Sequence, residues 1–304
     1  MIVAARQQVV NDGLVGPKVA RFFRNIEAYG NPYRELRQNR GRWARDMGIE
    51  PYSGQEFLFY VGCVGSFDEK VQKTAQAVGR LFLKAGLSFG ILGPEEDCDG
   101  NEVHILGESR LFGTLRERNT ILFQKAGVKK IIALSPHAYN VFRKEYPAGF
   151  QVFHYTQVLR DLIKAEELKP ASKLNVKVTY HDPCFLGRHA NEYEAPREIL
   201  GAIDGVELVE MGRNRQNSFC CGGGSGNFYT DFFGGGPTSP SRIRIREAHD
   251  TGATVLAVAC PTCTVMLGEA IKDEALEESM LLKDISQVLE DAVFSEVLRR
   301  PEPA

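Results

Sequence analysis

The stretch TVLAVACPTC, residues 254–263, joins a short apolar run to a Cys-Pro-Thr-Cys motif. The apolar part predicts a buried strand that ends on Cys260, and the following proline favours the first turn of a helix. Residues 176–180 predict a second strand, which leads into His-Asp-Pro-Cys and ends at Cys184. In parallel sheets, ligands collect beyond the carboxyl ends of the strands. We therefore expect Cys184 and Cys260 at one ligand-binding edge.

Strands alternate with helical patterns from Phe57 onward. This alternation predicts parallel sheets with helices on their faces. A polar stretch that contains Pro170 is typical of a linker. We predict an α/β protein of two pseudo-equivalent, Rossmann-like halves, residues 55–170 and 174–304, preceded by a helical N-terminal extension over residues 1–54.

The composition excludes several classes of protein. The chain has 304 residues, 43% of them hydrophobic, and a net charge of −2, so nothing indicates a nucleic-acid partner. No apolar run approaches the ~20 residues of a spanning helix, and no signal-peptide pattern opens the chain. Seven cysteines, two of them adjacent, fit metal or redox thiols better than a disulfide framework. We expect a cytoplasmic protein, and we interpret the arginine-rich stretch 33–45 as a solvated face or a docking strip for an acidic partner.

Five cysteines of the second half are candidate metal ligands. They are Cys184, Cys220, Cys221, Cys260 and Cys263. Thiolates are the ligands that iron–sulfur clusters and zinc select. The glycines at 222, 223, 224 and 226 predict positive φ angles and close approach of backbone N–H groups to an anionic cluster. Zinc needs only four ligands, so a fifth thiolate favours iron–sulfur; zinc, apolar packing and disulfide chemistry are the alternatives.

The first half carries an altered copy of the same motif. Cys63, Cys98-Asp99 and the segment 135–138 align with the five-cysteine motif, which indicates a duplication after which three thiols were lost. Three interpretations remain open. Cys63 and Cys98 are relic core residues, or a redox pair, or ligands of a small metal site, such as zinc, together with His137 or Asp99.

Three blocks carry a family resemblance: HDPC at 181–184, SFCCGGG at 218–224 and ACPTC at 259–263. They resemble the cysteine-rich CCG domain of heterodisulfide reductase and its relatives, which include the iron–sulfur subunit of glycolate oxidase and heterodisulfide-reductase-like proteins of sulfur metabolism. The resemblance implies one noncubane [4Fe-4S] cluster held by the five cysteines, and disulfide reduction at that centre. His181, Asp182, Gly222 and Gly223 are then candidates to hydrogen-bond around the ligands.

The predicted function is that of an iron–sulfur oxidoreductase subunit in a heterodisulfide-reductase-like complex. Its chemistry would be disulfide/thiol redox, with sulfane-sulfur or lipoate-linked substrates and a lipoyl carrier protein among the candidates. The chain has neither a ferredoxin CxxCxxCxxxCP motif nor a dinucleotide fingerprint, so we expect a ferredoxin-like iron–sulfur subunit and a flavin-containing subunit as partners. The alternatives are a pure electron-transfer subunit of a lactate- or glycolate-type oxidase complex, and a zinc-stabilised scaffold.

Overall fold

The computed structural model describes residues 2–232 and 234–294, which fold around two four-stranded sheets. The strands of the first sheet are β1 (Phe57–Tyr60), β2 (Phe89–Gly90), β3 (Lys130–Ala133) and β4 (Gln151–His154). Those of the second are β5 (Val176–Tyr180), β6 (Val206–Leu208), β7 (Val255–Val258) and β8 (Leu281–Asp284). All pairings are parallel, and the order β2-β1-β3-β4 matches β6-β5-β7-β8. The predicted α/β architecture of two equivalent halves is confirmed.

Helices flank both sheets. In the first half they are α3 (Gly62–Phe67), α4 (Glu69–Lys84), α5 (Asn101–Ile105), α6 (Ser109–Lys125), α7 (Pro136–Lys144) and α8 (Tyr155–Lys164). In the second half they are α9 (Glu194–Gly201), α10 (Asn227–Thr230), α11 (Pro240–His249), α12 (Pro261–Asp273) and α13 (Ile285–Phe294). Within the described ranges, no helix combines the length and the apolar composition that crossing a membrane requires.

The N-terminal extension is helical, as predicted. It contains α1 (Ile2–Asn11) and α2 (Pro17–Tyr29), followed by two short 3-10 turns. The ring of Phe22 in α2 stacks on Tyr229 of α10, with centroids 4.8 Å apart. The extension therefore packs against the second half as well as preceding the first.

The two halves also pack directly on each other. The hydroxyl of Tyr155 in α8 donates to Oδ1 of Asp284, at the end of β8, over 2.8 Å. Leu58 of β1 and Val178 of β5 are fully buried members of one hydrophobic cluster. Burial of this apolar surface between the sheets stabilises their relative position. The boundary at residues 170–174 remains a prediction.

One predicted helix is wrong in its continuity. The pattern from Glu102 to Ala126 predicts a single helix, but the chain forms α5 and α6 with Gly107 between them at φ +92°. A Cβ at Gly107 would lie 2.5 Å from the backbone of Arg6 in α1. The break therefore lets the extension approach closely.

Candidate metal centre and its counterpart in the first half

The five cysteines of the second half meet at the carboxyl edge of its sheet. Cys184 follows β5, Cys260 follows β7 as the N-cap of α12, and Cys263 lies in the first turn of α12. The pair Cys220 and Cys221 comes from the glycine-rich loop before α10. Strands that are far apart in sequence end side by side in a parallel sheet, which is why these thiols converge.

Their sulfur atoms form one continuous series of contacts. Side-chain hydrogen bonds join neighbours in the order Cys184, Cys220, Cys221, Cys263 and Cys260. The Sγ atoms of Cys221 and Cys263 are 3.3 Å apart, and all five thiols are free. The structure thus brings together the whole predicted ligand set.

The thiols in this series differ in acidity. Hydrogen bonds from Cys184 and Cys221 lower the pKa of Cys220 to about 2, and the contact with Cys220 raises the pKa of Cys184. Burial by itself raises the pKa of Cys260, but hydrogen bonds from Cys263 and His137 outweigh it and lower that pKa to about 5. Like charges in contact oppose one another, so all five groups ionise together only around a cation. The donor set therefore fits a soft metal centre.

Two glycines after the cysteine pair shape the site by different means. Gly222 has φ +83°, and its N–H donates to the sulfur of the first cysteine of the pair over 3.3 Å. Gly223 leaves no room for a side chain, because a Cβ there would lie 2.5 Å from Cγ2 of Thr262 in α12. Among the four glycines predicted to have positive φ, Gly222 and Gly226 do so, and the prediction is wrong for Gly223 and Gly224.

His181 presents a hydrogen-bond donor to the thiols. A ring nitrogen of His181 and the sulfurs of Cys221 and Cys263 lie within 4.8 Å of one another. The Nε of Arg244, a fully buried arginine, donates to Nδ1 of His181 over 3.1 Å, and Nε2 is buried without a partner. Burial followed by the charge of Arg244 lowers the pKa of His181 to about 3, so the ring is neutral. Since Nδ1 accepts, the proton is on Nε2, which makes the ring a donor and not a ligand.

Asp182 orders the loop around the ligands. Its carboxylate accepts two hydrogen bonds from Arg197, at 2.7 and 3.0 Å, and a third from the backbone N–H of Arg215 at 2.8 Å. A carboxylate with this many charged and backbone donors is fixed in place. Asp182 therefore acts on the site through the position of the chain next to Cys184.

A link from the first half reaches the cysteines of the second. Nδ1 of His137, in the first turn of α7, lies 2.6 Å from Oε1 of Glu102, and its ring also hydrogen-bonds to the thiol of Cys260. The second oxygen of Glu102 accepts the N–H of Gly226 over 2.6 Å. Burial opposes the charge on His137, but hydrogen bonds from its ring to Cys260 and Glu102 raise its pKa to about 10. Sequence reasoning placed His137 beside Cys63 and Cys98 and missed Glu102.

The first half repeats the backbone of the site with fewer thiols. Gly100 has φ +79°, and its N–H donates to Sγ of Cys98 over 3.4 Å, as Gly222 does in the second half. Cys63 follows β1 in α3 and hydrogen-bonds to Cys98. Ser135 caps α7 by accepting the N–H of His137, at the position where Cys260 opens α12. The aligned segments therefore occupy equivalent positions in the two halves.

Arg40 corrects the interpretation of the arginine-rich stretch as a solvated face. Its side chain is only 2% exposed, and it donates to Oε1 of Glu96 over 2.9 Å and to Sγ of Cys63 over 3.3 Å. Glu96 also accepts the N–H groups of Val61 and Gly62, each at 3.0 Å. A buried ion pair thus lies against the first-half thiols.

Comparisons with known proteins agree with this architecture. The family model of the CCG cysteine-rich domain matches residues 57–143 and 178–268, one match in each half. The probable iron–sulfur-binding oxidoreductase FadF of Bacillus subtilis is 38% identical over 98% of this chain and 44% of its own length. The EtfAB:quinone oxidoreductase of Syntrophomonas wolfei is 36% identical over 88% of this chain and 40% of its own length. The chain therefore spans less than half of these two relatives.

A third relative is matched over most of its length. This protein, a component of the dihydromethanophenazine:CoB–CoM heterodisulfide reductase of Methanosarcina barkeri, is 32% identical over 95% of this chain and 72% of its own length. The family matches begin at β1 and again at β5 and together cover more than half of the chain, as the resemblance noted in the sequence predicts. The chain belongs to the CCG cysteine-rich domain family and is homologous to this heterodisulfide reductase component.

Proposed function

We propose that this chain is an iron–sulfur oxidoreductase subunit whose cluster is held by Cys184, Cys220, Cys221, Cys260 and Cys263. The observation that carries the proposal is the unbroken series of sulfur contacts among these five side chains. The finer assignment is a noncubane [4Fe-4S] cluster in a heterodisulfide-reductase-like complex that oxidises or reduces thiols and disulfides. A five-thiolate donor set supports it because a mononuclear zinc site uses four ligands.

The surroundings of the cysteines suit an anionic cluster. The N–H of Gly222 and the Nε2–H of His181 are donors directed at sulfur, and Arg244 fixes the tautomer of the histidine. Such donors stabilise added negative charge and raise a reduction potential. A bound cluster of this kind supplies single-electron transfer and an iron position that a substrate sulfur can occupy. The protein side chains hold the ligands, exclude water and supply the hydrogen bonds.

The names of the relatives support two related activities. The relative from Methanosarcina barkeri belongs to an enzyme named for a disulfide substrate, which favours disulfide/thiol chemistry for this chain as well. The relative from Syntrophomonas wolfei is named for electron transfer to a quinone, which favours the second candidate, a subunit that only relays electrons, as in lactate- or glycolate-type complexes. In both cases a ferredoxin-like subunit or domain and a flavin protein are the proposed electron partners.

Metal analysis of ligand variants tests the proposal. After anaerobic purification we expect iron and acid-labile sulfide in the wild-type protein, and a loss of most of both in Cys221→Ala and Cys260→Ala. Cys63→Ala is the matched control, because this buried cysteine lies in the other half and should leave the iron in place. Full iron in the two ligand variants, or zinc in place of iron in the wild type, would refute the assignment.

Paramagnetic resonance separates the two candidate activities. A cluster signal that shifts when a thiol or disulfide is added supports chemistry at the cluster, whereas an unshifted signal supports electron relay. A second metal, zinc, in the first half is the remaining alternative. It requires zinc that is lost in both Cys63→Ala and Cys98→Ala.

A further inference from the structure

Cys63 and Cys98 form a buried thiol pair at the ligand edge of the first sheet. The side chains are 6% and 8% exposed, and their thiols hydrogen-bond to each other. They come from α3 and from the loop before α5, so the sheet edge brings them together as it does the thiols of the second half. Both thiols are free.

The surroundings make the two thiols unequal. Hydrogen bonding from Cys98, aided by the charge of Arg40, lowers the pKa of Cys63, while the contact with Cys63 and burial raise the pKa of Cys98. Arg40 touches the sulfur of Cys63 directly, at 3.3 Å, and is itself paired with Glu96. The pair therefore consists of a thiolate and a thiol, the combination from which a disulfide forms.

Both thiols line a small cavity between the halves. Its volume is about 40 Å³, and its walls include Asp99 from the first half, Thr262 from the second and Ile26 from the N-terminal extension. This space holds a few water molecules at roughly 10–15 Å³ each, but it is too small for an organic disulfide. The pair can therefore exchange protons with cavity water, but an organic substrate cannot form a mixed disulfide with it in this arrangement.

The other two interpretations of these cysteines fit the structure less well. A relic thiol packed as a small apolar group gives no reason to bury an arginine against its sulfur, because burying a charge is costly. A metal site needs converging ligands, and His137 is engaged by Glu102 and Cys260 instead. In the part of the chain that the structure describes, the one group of potential ligand atoms within 4.8 Å of one another is His181 with Cys221 and Cys263.

We propose that Cys63 and Cys98 are a redox-active pair that alternates between thiolate plus thiol and an internal disulfide. Oxidation forms the S–S bond, releases the proton of Cys98 to cavity water, and passes two electrons to a flavin or iron–sulfur group of a partner protein. Reduction by the same class of carrier reverses each change. The pair gives the first half a two-electron store beside the cavity, and it rests on the proposed function only in requiring such an electron partner.

Disulfide mapping on the iron-loaded protein tests the pair. The protein is equilibrated anaerobically with mixtures of reduced and oxidised dithiothreitol, quenched in acid, alkylated and digested with trypsin. Cleavage after lysine and arginine places Cys63 in peptide 46–70 and Cys98 in peptide 85–110. We expect these two peptides to become linked as the mixture becomes oxidising, from less than a tenth to more than nine tenths of the protein, with a two-electron dependence.

Variants separate this proposal from that of the cluster. Cys63→Ser and Cys98→Ser should each abolish the linked peptides and keep the wild-type iron content. Val64→Ala, at another residue that lines the cavity, is the matched control and should keep the linkage. An iron-loaded wild type without linked peptides in any mixture overturns the redox pair, as does linkage of Cys63 to a second-half cysteine. Linked peptides in a wild type that binds no iron would support the pair and sink the proposed cluster.

Discussion

The buried ion pair of Arg40 and Glu96 allows a quantitative prediction for Arg40→Met. The two side chains are 2% and 3% exposed, and their charged atoms are 2.9 Å apart. Methionine keeps most of the volume but removes the charge, so Glu96 remains buried with only the N–H groups of Val61 and Gly62 as donors. Leaving one partner of a buried pair uncompensated costs about 3–5 kcal/mol of unfolding free energy. We expect Arg40→Met to lose that amount at pH 8.

The loss should depend on pH with a definite sign. Burial raises the pKa of Glu96 above its ordinary value of 4.5, even though Arg40 and the backbone donors oppose this. Removing Arg40 raises the pKa further. An acid whose pKa is higher in the folded state binds its proton there first, so the folded variant is penalised at high pH and relieved as the pH falls through that pKa. The difference in stability between wild type and Arg40→Met should therefore shrink toward pH 5.

Urea unfolding of the iron-free protein measures both effects. A double-mutant cycle with Glu96→Gln isolates the coupling of the pair, and the double variant should lose clearly less than the sum of the two single losses. Glu56→Gln, which breaks the exposed pair with Lys130, is the control and should cost less than about 1 kcal/mol. A loss below 1 kcal/mol for Arg40→Met, or an equal loss at pH 5 and pH 8, would refute the role given to the pair.

Three further predictions concern the second-half site. Gly223→Ala should displace the first turn of α12, cost about 1–3 kcal/mol and lower the bound iron, whereas Gly224→Ala, whose Cβ meets its nearest atom only at 3.7 Å, should match the wild type in urea unfolding and iron analysis. His181→Phe should keep the iron but lower the reduction potential by roughly 30–60 mV in a redox titration, because a donor to sulfur is lost and 59 mV is a tenfold change for one electron; an unchanged potential contradicts the donor role. Glu102→Gln removes the counter-charge of His137 and should cost roughly 1–3 kcal/mol in urea unfolding; wild-type stability would show that the bridge between the halves contributes nothing.

The sequence alone predicted the parts of the structure that local patterns determine. The strands that end at Cys184 and Cys260 were identifiable from short apolar runs, and Pro261 from its preference for a first helical turn. The duplication was visible because the cysteine spacing survives in the first half. The break at Gly107 was missed because it depends on how closely α1 approaches, a tertiary contact that leaves no periodic signal.

The residues that sequence reasoning missed act across large separations in the chain. Arg40 lies in a stretch whose five arginines suggest a solvated face, and only the fold shows that one of them turns inward to Glu96. Glu102 follows the turn after Cys98, so its position at the sheet edge could have been inferred, but its hydrogen bond to Gly226 depends on how the halves dock. Pairing of this kind is set by packing between elements, which one sequence does not encode as a pattern.

The two halves show what replaced the lost thiols. In the second half, five thiol groups require a cation between them, and the donors from Gly222 and His181 are directed at sulfur. In the first half, where only Cys63 and Cys98 remain, the positive charge beside the sulfur comes from Arg40. A guanidinium cannot coordinate several thiolates as a metal does, but it can stabilise one of them. The same turn and sheet edge can therefore support cluster binding in one half and two-electron thiol chemistry in the other.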